Sequence, residues 1–327
     1  MNGAPRALLL TAGLGTRLRP LTYLRAKAAV PINGRTLVAR AIDWLARAGI
    51  RDLVLNLHHR PETIAAVVGD GSDFGVRVRY SWEQPVLGSG GGPRRALPLL
   101  VDGRGEDDDF VIVNADTLTD LDLRAIVERH KSSGALVTMA LIENPRPEQY
   151  GGVHVSSDGW VTSFSPARAW AESRRPNFHF IGVQVARAAA FADLADGVPA
   201  ESVNALYPRL IAANPRAVAA YISPASFLDI GTPRDCLDTS VSLARAEGPR
   251  LIGERVYIHP SARLANTVVW DDVVIGAGAS LRDCIVGDGA MIPEGSTFER
   301  CAIVPANGRA PQTGERIDGK LLVKELR

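Results

Sequence analysis

The sequence predicts an α/β fold, a mostly parallel sheet with helices on both faces, followed by a short parallel β-helix. Three observations carry that expectation. From residue 6 to about residue 240, short apolar runs alternate with amphipathic segments, the pattern of buried parallel strands joined by helices. The first apolar run opens directly into a glycine loop that ends in an arginine. In the last quarter, apolar residues recur every six positions, the period of a three-sided parallel coil. At 327 residues the chain is long enough for two units, one with a core able to enclose a site.

In chain order, residues 7–10 form the first strand; they are too short for the apolar region of a signal peptide and lead straight into the glycine loop. Further strands are expected at 53–57, 76–80, 110–113, 135–142 and 180–185, with helices at 37–48, 62–68, 92–100, 122–131 and 203–213. In the first helix Leu37, Ala41, Trp44, Leu45 and Ala48 share one face, and Gly49 stops the turn. The acidic stretch 101–109 reads as a solvated connector. Val256, Ala262, Val268, Val274, Ser280, Val286, Ile292, Phe298 and Val304 stand six apart and are expected to point into the coil, which makes about three turns of roughly 18 residues. Its exposed ends and flat faces favour self-association. We therefore expect domains at 1–248 and 249–327, with homo-oligomerisation through the second.

Composition narrows the function classes. Hydrophobic residues make up 46% and charged residues 22%, an ordinary globular balance. A net charge of +1 gives no global attraction to nucleic acid or anionic membrane, so neither partner is expected and anion binding must be local. No stretch approaches the length of a membrane span. Cys236, Cys284 and Cys301 are widely spaced without a Cys-x-x-Cys, as structural thiols in a cytoplasmic protein would be.

The candidate chemistry starts in the glycine loop. Gly13 and Gly15 permit close approach of phosphate to backbone, and Arg17 offers a forked cation. Neither the Walker pattern nor the three-glycine Rossmann fingerprint is present. The run Gly13-Leu14-Gly15-Thr16-Arg17-Leu18-Arg19-Pro20-Leu21-Thr22, followed by Lys27 and Val30-Pro31, resembles the opening signature of the sugar-1-phosphate nucleotidyltransferases. Ala12 and Ala26 stand where that family commonly has glycine and proline. Asn114-Ala115-Asp116 resembles its Asn-Gly-Asp, and Phe227-Leu228-Asp229-Ile230-Gly231-Thr232-Pro233 its second aspartate motif. Leu87-Gly88-Ser89-Gly90-Gly91-Gly92 resembles its base-reading segment, here taken as a strand-to-helix loop. The hexads resemble the left-handed hexapeptide domain behind many members.

The resemblance implies a Rossmann-like sheet and a reaction in which a sugar-1-phosphate oxygen attacks the α-phosphorus of a nucleoside triphosphate, releasing pyrophosphate. It implies Arg17 and Lys27 as catalytic cations and Asp116 and Asp229 as ligands of Mg²⁺. Thr11, Ala12, Gly13, Gly15, Thr16, Glu83, Gly88 and Ser89 would bind the nucleotide, GTP or UTP. Tyr150, Gly151, His179 and Gly182 would line a hexose such as that of mannose-1-phosphate or N-acetylmuramate-1-phosphate. The family's Glu-Lys after the phenylalanine is missing beyond Phe164, and Arg168 is the substitute cation for the sugar phosphate. That departure defines the alternative, a non-catalytic regulatory paralogue that still binds a sugar nucleotide.

Overall fold

The computed structural model describes residues 4–101, 105–167 and 178–326. The chain forms two compact units. The first comprises Met1–Gly13, Ala41–Pro61 and Val68–Phe227, and the second comprises Leu14–Arg40, Glu62–Val67 and Leu228–Arg327.

The first unit holds the sheet. Its strands are β1 Arg6–Leu10, β2 Asp52–Leu57, β3 Arg77–Trp82, β4 Asp109–Asn114, β5 Val137–Glu143, β6 Gly152–Val155, β7 Val161–Ser165, β8 Phe178–Arg187 and β9 Val218–Ile222. They run in the order β7-β6-β8-β4-β1-β2-β3, with β5 pairing both β8 and β9. The centre, β4-β1-β2-β3, is parallel. It is built from near-continuous apolar runs because both faces are covered: Leu8, Leu9, Leu53, Leu55, Val111 and Ile112 are fully buried. β8 is antiparallel to β4 and β5, and β6 to β7. β6, β7 and β9 were not among the expected strands. They are short, and Gly152, Ser163 and Ala219 weaken the β pattern.

Helix α1 (Leu37–Arg47) buries Leu37, Ala41 and Leu45 as expected. Gly49 at φ +90° ends it, and the Ile50 amide closes back on the Leu45 carbonyl at 3.0 Å. The glycine cluster departs from its reading as a loop. Gly88–Leu100 is a single helix, α2, so Gly88 to Gly92 are its first turns. Absence of side chains lets the 198–200 backbone pack against it: a Cβ on Gly91 would meet the Val198 oxygen at 2.6 Å, and one on Gly90 the Ala200 oxygen at 3.1 Å.

The second unit contains helix α3 (Pro233–Glu247), which sequence patterning did not identify. Its start is written in a capping box, Thr232 accepting from the Asp235 amide while the Asp235 carboxylate accepts from the Thr232 amide. Beyond it the chain winds into the coil, where Tyr257 pairs Val274, Val274 pairs Met291, and Val268 pairs Ile285 in parallel.

These registers advance by 17 residues per turn, because one of the three sides is a residue shorter than a hexad. The six-residue register therefore slips by one. Val269, Ile275, Leu281, Val286, Ile292, Phe298 and Ile303 form the interior. Val274 does not point inward as expected; it is 37% exposed, in line with Tyr257 at 56% and Met291 at 66%. At one corner Thr267, Cys284 and Cys301 stack, each donating its side-chain hydrogen to the carbonyl two residues earlier. The three cysteines are free and buried, and burial pushes Cys236 up to about 12 and Cys284 to about 11, so they are inert structural thiols.

Candidate active site

In the first unit, the carboxyl ends of the parallel strands bring Leu10 beside Asn56 and Asn114, where open α/β sheets gather ligands. Asn56 organises this edge. Its Oδ1 accepts from the amides of Thr11 at 2.6 Å and Ala12 at 3.3 Å, and its main-chain oxygen accepts the Thr11 hydroxyl. Its Nδ2 donates to Glu83 Oε1 at 2.6 Å, and Glu83 Oε2 accepts the Leu87 amide at 2.8 Å. Glu83, expected in the nucleotide set, is 4% exposed and reaches the Thr11–Ala12 turn through Asn56. Thr11 and Ala12 likewise spend their amides on Asn56 rather than on an open surface. A Cβ on Gly92 would sit 2.7 Å from Glu83 Oε1 and 3.0 Å from Asn56 Nδ2, which is why glycine is needed there.

Gly88 lies against Glu201 and Ala200, while the Ser89 hydroxyl donates to Glu201 at 3.0 Å and accepts from the Ser202 amide at 2.9 Å. His58 donates from Nδ1 to the Glu83 carbonyl at 2.9 Å, a structural contact. Among the sugar candidates, Tyr150 and His179 stack with centroids 4.4 Å apart, and Phe227 closes the group at 5.7 Å and 4.9 Å. His179 contacts the Gly151 carbonyl at 3.5 Å, and its burial holds the imidazole below its ordinary pKa, neutral at pH 7. Gly182, at φ +78°, leaves room for Asn114: a Cβ there would meet the Asn114 Cβ at 2.8 Å. Arg168 lies outside the described residues.

In the second unit the signature segment is wound into tight turns. Gly15 adopts φ +59°, and a Cβ on it would meet Thr22 Cγ2 at 2.8 Å and Lys27 Cβ at 3.1 Å. The Thr22 hydroxyl donates to the Gly15 carbonyl at 2.9 Å, which locks the loop in this conformation. Among the described residues, no acceptor takes the amides of Leu14, Gly15 and Thr16. Thr16 and Arg17 are exposed beside them, and Lys27 is half-buried. Consecutive outward amides with adjacent cations form an anion-binding concavity. Arg17 and Asp229 both lie against Gly231, where a Cβ would be 3.2 Å from Arg17 Nη1 and 3.2 Å from Asp229 Oδ2. Gly13, at the end of the first unit, has open space at its Cβ position.

Asp116 and Asp229 are both half-buried. Among the described residues no group of three or more His, Cys, Asp or Glu is arranged to hold a metal by itself. Carboxylates without nitrogen or sulfur donors suit a hard divalent cation that takes its other ligands from phosphate and water.

Residues 6–246 match the model of the nucleotidyl transferase family. The chain belongs to this family. Residues 239–298 match the GlmU-like C-terminal hexapeptide model, consistent with the left-handed coil. A mannose-1-phosphate guanylyltransferase of Mycobacterium tuberculosis is 28% identical over 280 residues, covering 84% of this chain and 76% of its own. A probable mannose-1-phosphate guanylyltransferase of Oryza sativa is 28% identical over 306 residues, covering 91% and 81%. Among solved structures, a putative glucose-1-phosphate thymidylyltransferase from Bacillus anthracis shares the fold at TM-score 0.62 and 18% identity, over 74% of this chain and 96% of its own. HddC from Yersinia pseudotuberculosis does so at 0.59 and 21%, over 73% and 100%.

The nucleotidyltransferase is thus an enzyme whose substrates are a nucleoside triphosphate and a sugar phosphate. Sequence reasoning passed over Asn56 as an organiser and Phe227 as an aromatic wall. The signal for the first was a lone amide inside the apolar run Leu53–Leu57.

Proposed function

We propose that this enzyme joins GTP and mannose-1-phosphate to give GDP-mannose and pyrophosphate. The observation that carries the nucleotide half is the open run of amides at Leu14–Thr16 beside Arg17 and Lys27. The sugar and base rest on the guanylyltransferase relatives. The attacking oxygen belongs to a phosphate already ionised, so the protein needs no covalent nucleophile and little acid–base help; it must align two anions and neutralise their repulsion. On this reading Arg17 clamps the triphosphate with its fork, and Lys27 neutralises the reacting phosphates. Gly13, Gly15 and Thr16 line the loop, while Thr11, Ala12 and Glu83 hold its entry through Asn56. Gly88 and Ser89 shape the base side, and Tyr150, Gly151, His179 and Gly182, with Arg168, serve the hexose phosphate.

Asp116 and Asp229 are assigned to Mg²⁺, which when bound supplies charge for the pyrophosphate that leaves. Residues 1–248 carry the chemistry, in a cytoplasmic setting, and 249–327 the coil. The outward stripe Tyr257, Val274 and Met291 supports homo-oligomerisation through that coil. Pyrophosphate release measured across four triphosphates and a panel of hexose-1-phosphates tests the reading. GTP with mannose-1-phosphate should give the highest kcat/KM; a different preferred pair, or none, refutes the assignment.

A further inference from the structure

The signature segment that carries Arg17 and Lys27 belongs to the same compact unit as the coil. Four of its side chains grip the coil. Arg19 donates to Gln312 at 2.8 Å, and its carbonyl accepts from Lys324 at 2.9 Å. Tyr23 lies under the Arg309 guanidinium at 4.5 Å. Leu24 packs over Gly287, where a Cβ would come within 2.6 Å of Leu24 Cδ1.

Arg25 makes the strongest tie. Its Nε and Nη2 donate to the two Asp288 oxygens at 2.7 and 2.6 Å, and Nη2 also donates to Asp271 at 2.7 Å. The guanidinium stands 5.3 Å from the buried Trp270 ring, and the side chain is only 17% exposed. The two aspartates are themselves fixed, since Asp288 accepts the Asp271 amide at 3.1 Å and Asp271 the Glu254 amide at 2.7 Å, one coil turn apart each time. On its other side Ala26 donates its amide to Thr63 at 3.0 Å, so the chain reaches Lys27 with no slack. Thr22 and Lys27, between and after these anchors, are the residues against which Gly15 is packed.

We propose that the coil is a brace for the phosphate loop and that Arg25 is its positioning residue, setting Lys27 and Gly15 through the paired aspartates Asp271 and Asp288. The inference rests on the proposed role of Lys27. It also makes the coil part of the catalytic apparatus rather than only a surface for association.

The test uses the full-length chain and four variants: Arg25→Ala, Arg25→Lys, the double change Asp271→Asn with Asp288→Asn, and Asp272→Asn. The last removes a coil carboxylate that is ion-paired to Arg255 at 2.6 Å on the surface and feels Arg25 through a weaker, longer-range field. Each is measured for kcat and KM with GTP and mannose-1-phosphate, and for amide exchange over residues 14–31 and over the coil.

Arg25→Ala and the double variant should lose about tenfold or more in kcat, as misplaced reacting groups do, with KM for GTP within about threefold. Their 14–31 amides should exchange faster while the coil interior keeps its protection. Arg25→Lys, which keeps the charge but not the fork, should fall between them and wild type, and Asp272→Asn should match wild type.

Wild-type kcat and exchange in Arg25→Ala overturn the proposal, as does an equal loss in Asp272→Asn or a uniform rise in exchange across the chain. If the wild-type enzyme turns over no substrate pair, the proposed function fails, and exchange over 14–31 alone still decides whether the brace exists.

Discussion

Replacing Glu83 by glutamine changes one atom and should destabilise the sheet unit well beyond a surface substitution. Both carboxylate oxygens are used as acceptors, one by Asn56 Nδ2 at 2.6 Å and the other by the Leu87 amide at 2.8 Å. Glutamine has one acceptor. Whichever way its amide lies, an N–H faces another N–H, and two buried donors are left without partners. Each such group costs about 1–3 kcal/mol, so the loss is about 2–6 kcal/mol, with about 4 kcal/mol a central value. At roughly 2–4 °C per kcal/mol for a domain of this size, Tm should fall by about 8–16 °C.

The damage should also reach function, because Asn56 loses the anchor that orients it toward Thr11 and Ala12. Urea titration followed by far-ultraviolet circular dichroism gives the stability change, and pyrophosphate release gives kcat. A Glu83→Gln protein within about 0.5 kcal/mol of wild type, the range of an ordinary surface change, would show that the buried network is not what holds the loop entry.

Other changes separate chemistry from folding. Asp116→Asn and Asp229→Asn should each lower kcat by about a hundredfold or more with Tm nearly unchanged, and near-normal turnover at low Mg²⁺ in either would remove that residue from the metal assignment. Ile275→Asp places an unpaired charge in a fully buried coil position and should unfold the coil, whereas Val274→Asp, on the exposed stripe, should leave Tm within a degree or two and weaken self-association measured by light scattering. Burial holds His179 below its ordinary pKa, so the stability it contributes is fully present above about pH 6.5 and is lost as pH falls through its folded-state pKa; the urea midpoint should drop between pH 7.5 and 5.5, and less so in His179→Gln.

The central strands and the phosphate loop were legible because their physics is local. Apolar runs such as Phe110–Val113 are too short for a helix and read as buried strands, and Gly15 with Thr22 announces a tight loop. The coil was legible as a period, but its length was not. A single five-residue side turns 18 into 17 and moves Ile275 inside and Val274 out, and that side is set by the turn at Asn266, Asp283 and Arg300, all at positive φ without being glycine. The glycines of α2 suggest a loop because composition reports backbone freedom. It does not report the close approach of the 198–200 backbone that actually demands them. The roles of Asn56 and Arg25 depend on partners far along the chain, Glu83 and Asp288, which no spacing rule connects.

The central claim is attack at the α-phosphorus of the nucleotide, and isotope tracing tests it most directly. Two preparations of GTP, labelled with phosphorus-32 at either the α or the γ position, are each incubated with mannose-1-phosphate and Mg²⁺, and the products are separated. The account predicts α label in a sugar nucleotide and γ label only in pyrophosphate, in equal amounts. Gamma label released as inorganic phosphate, or pyrophosphate formed without a labelled sugar nucleotide, would contradict it.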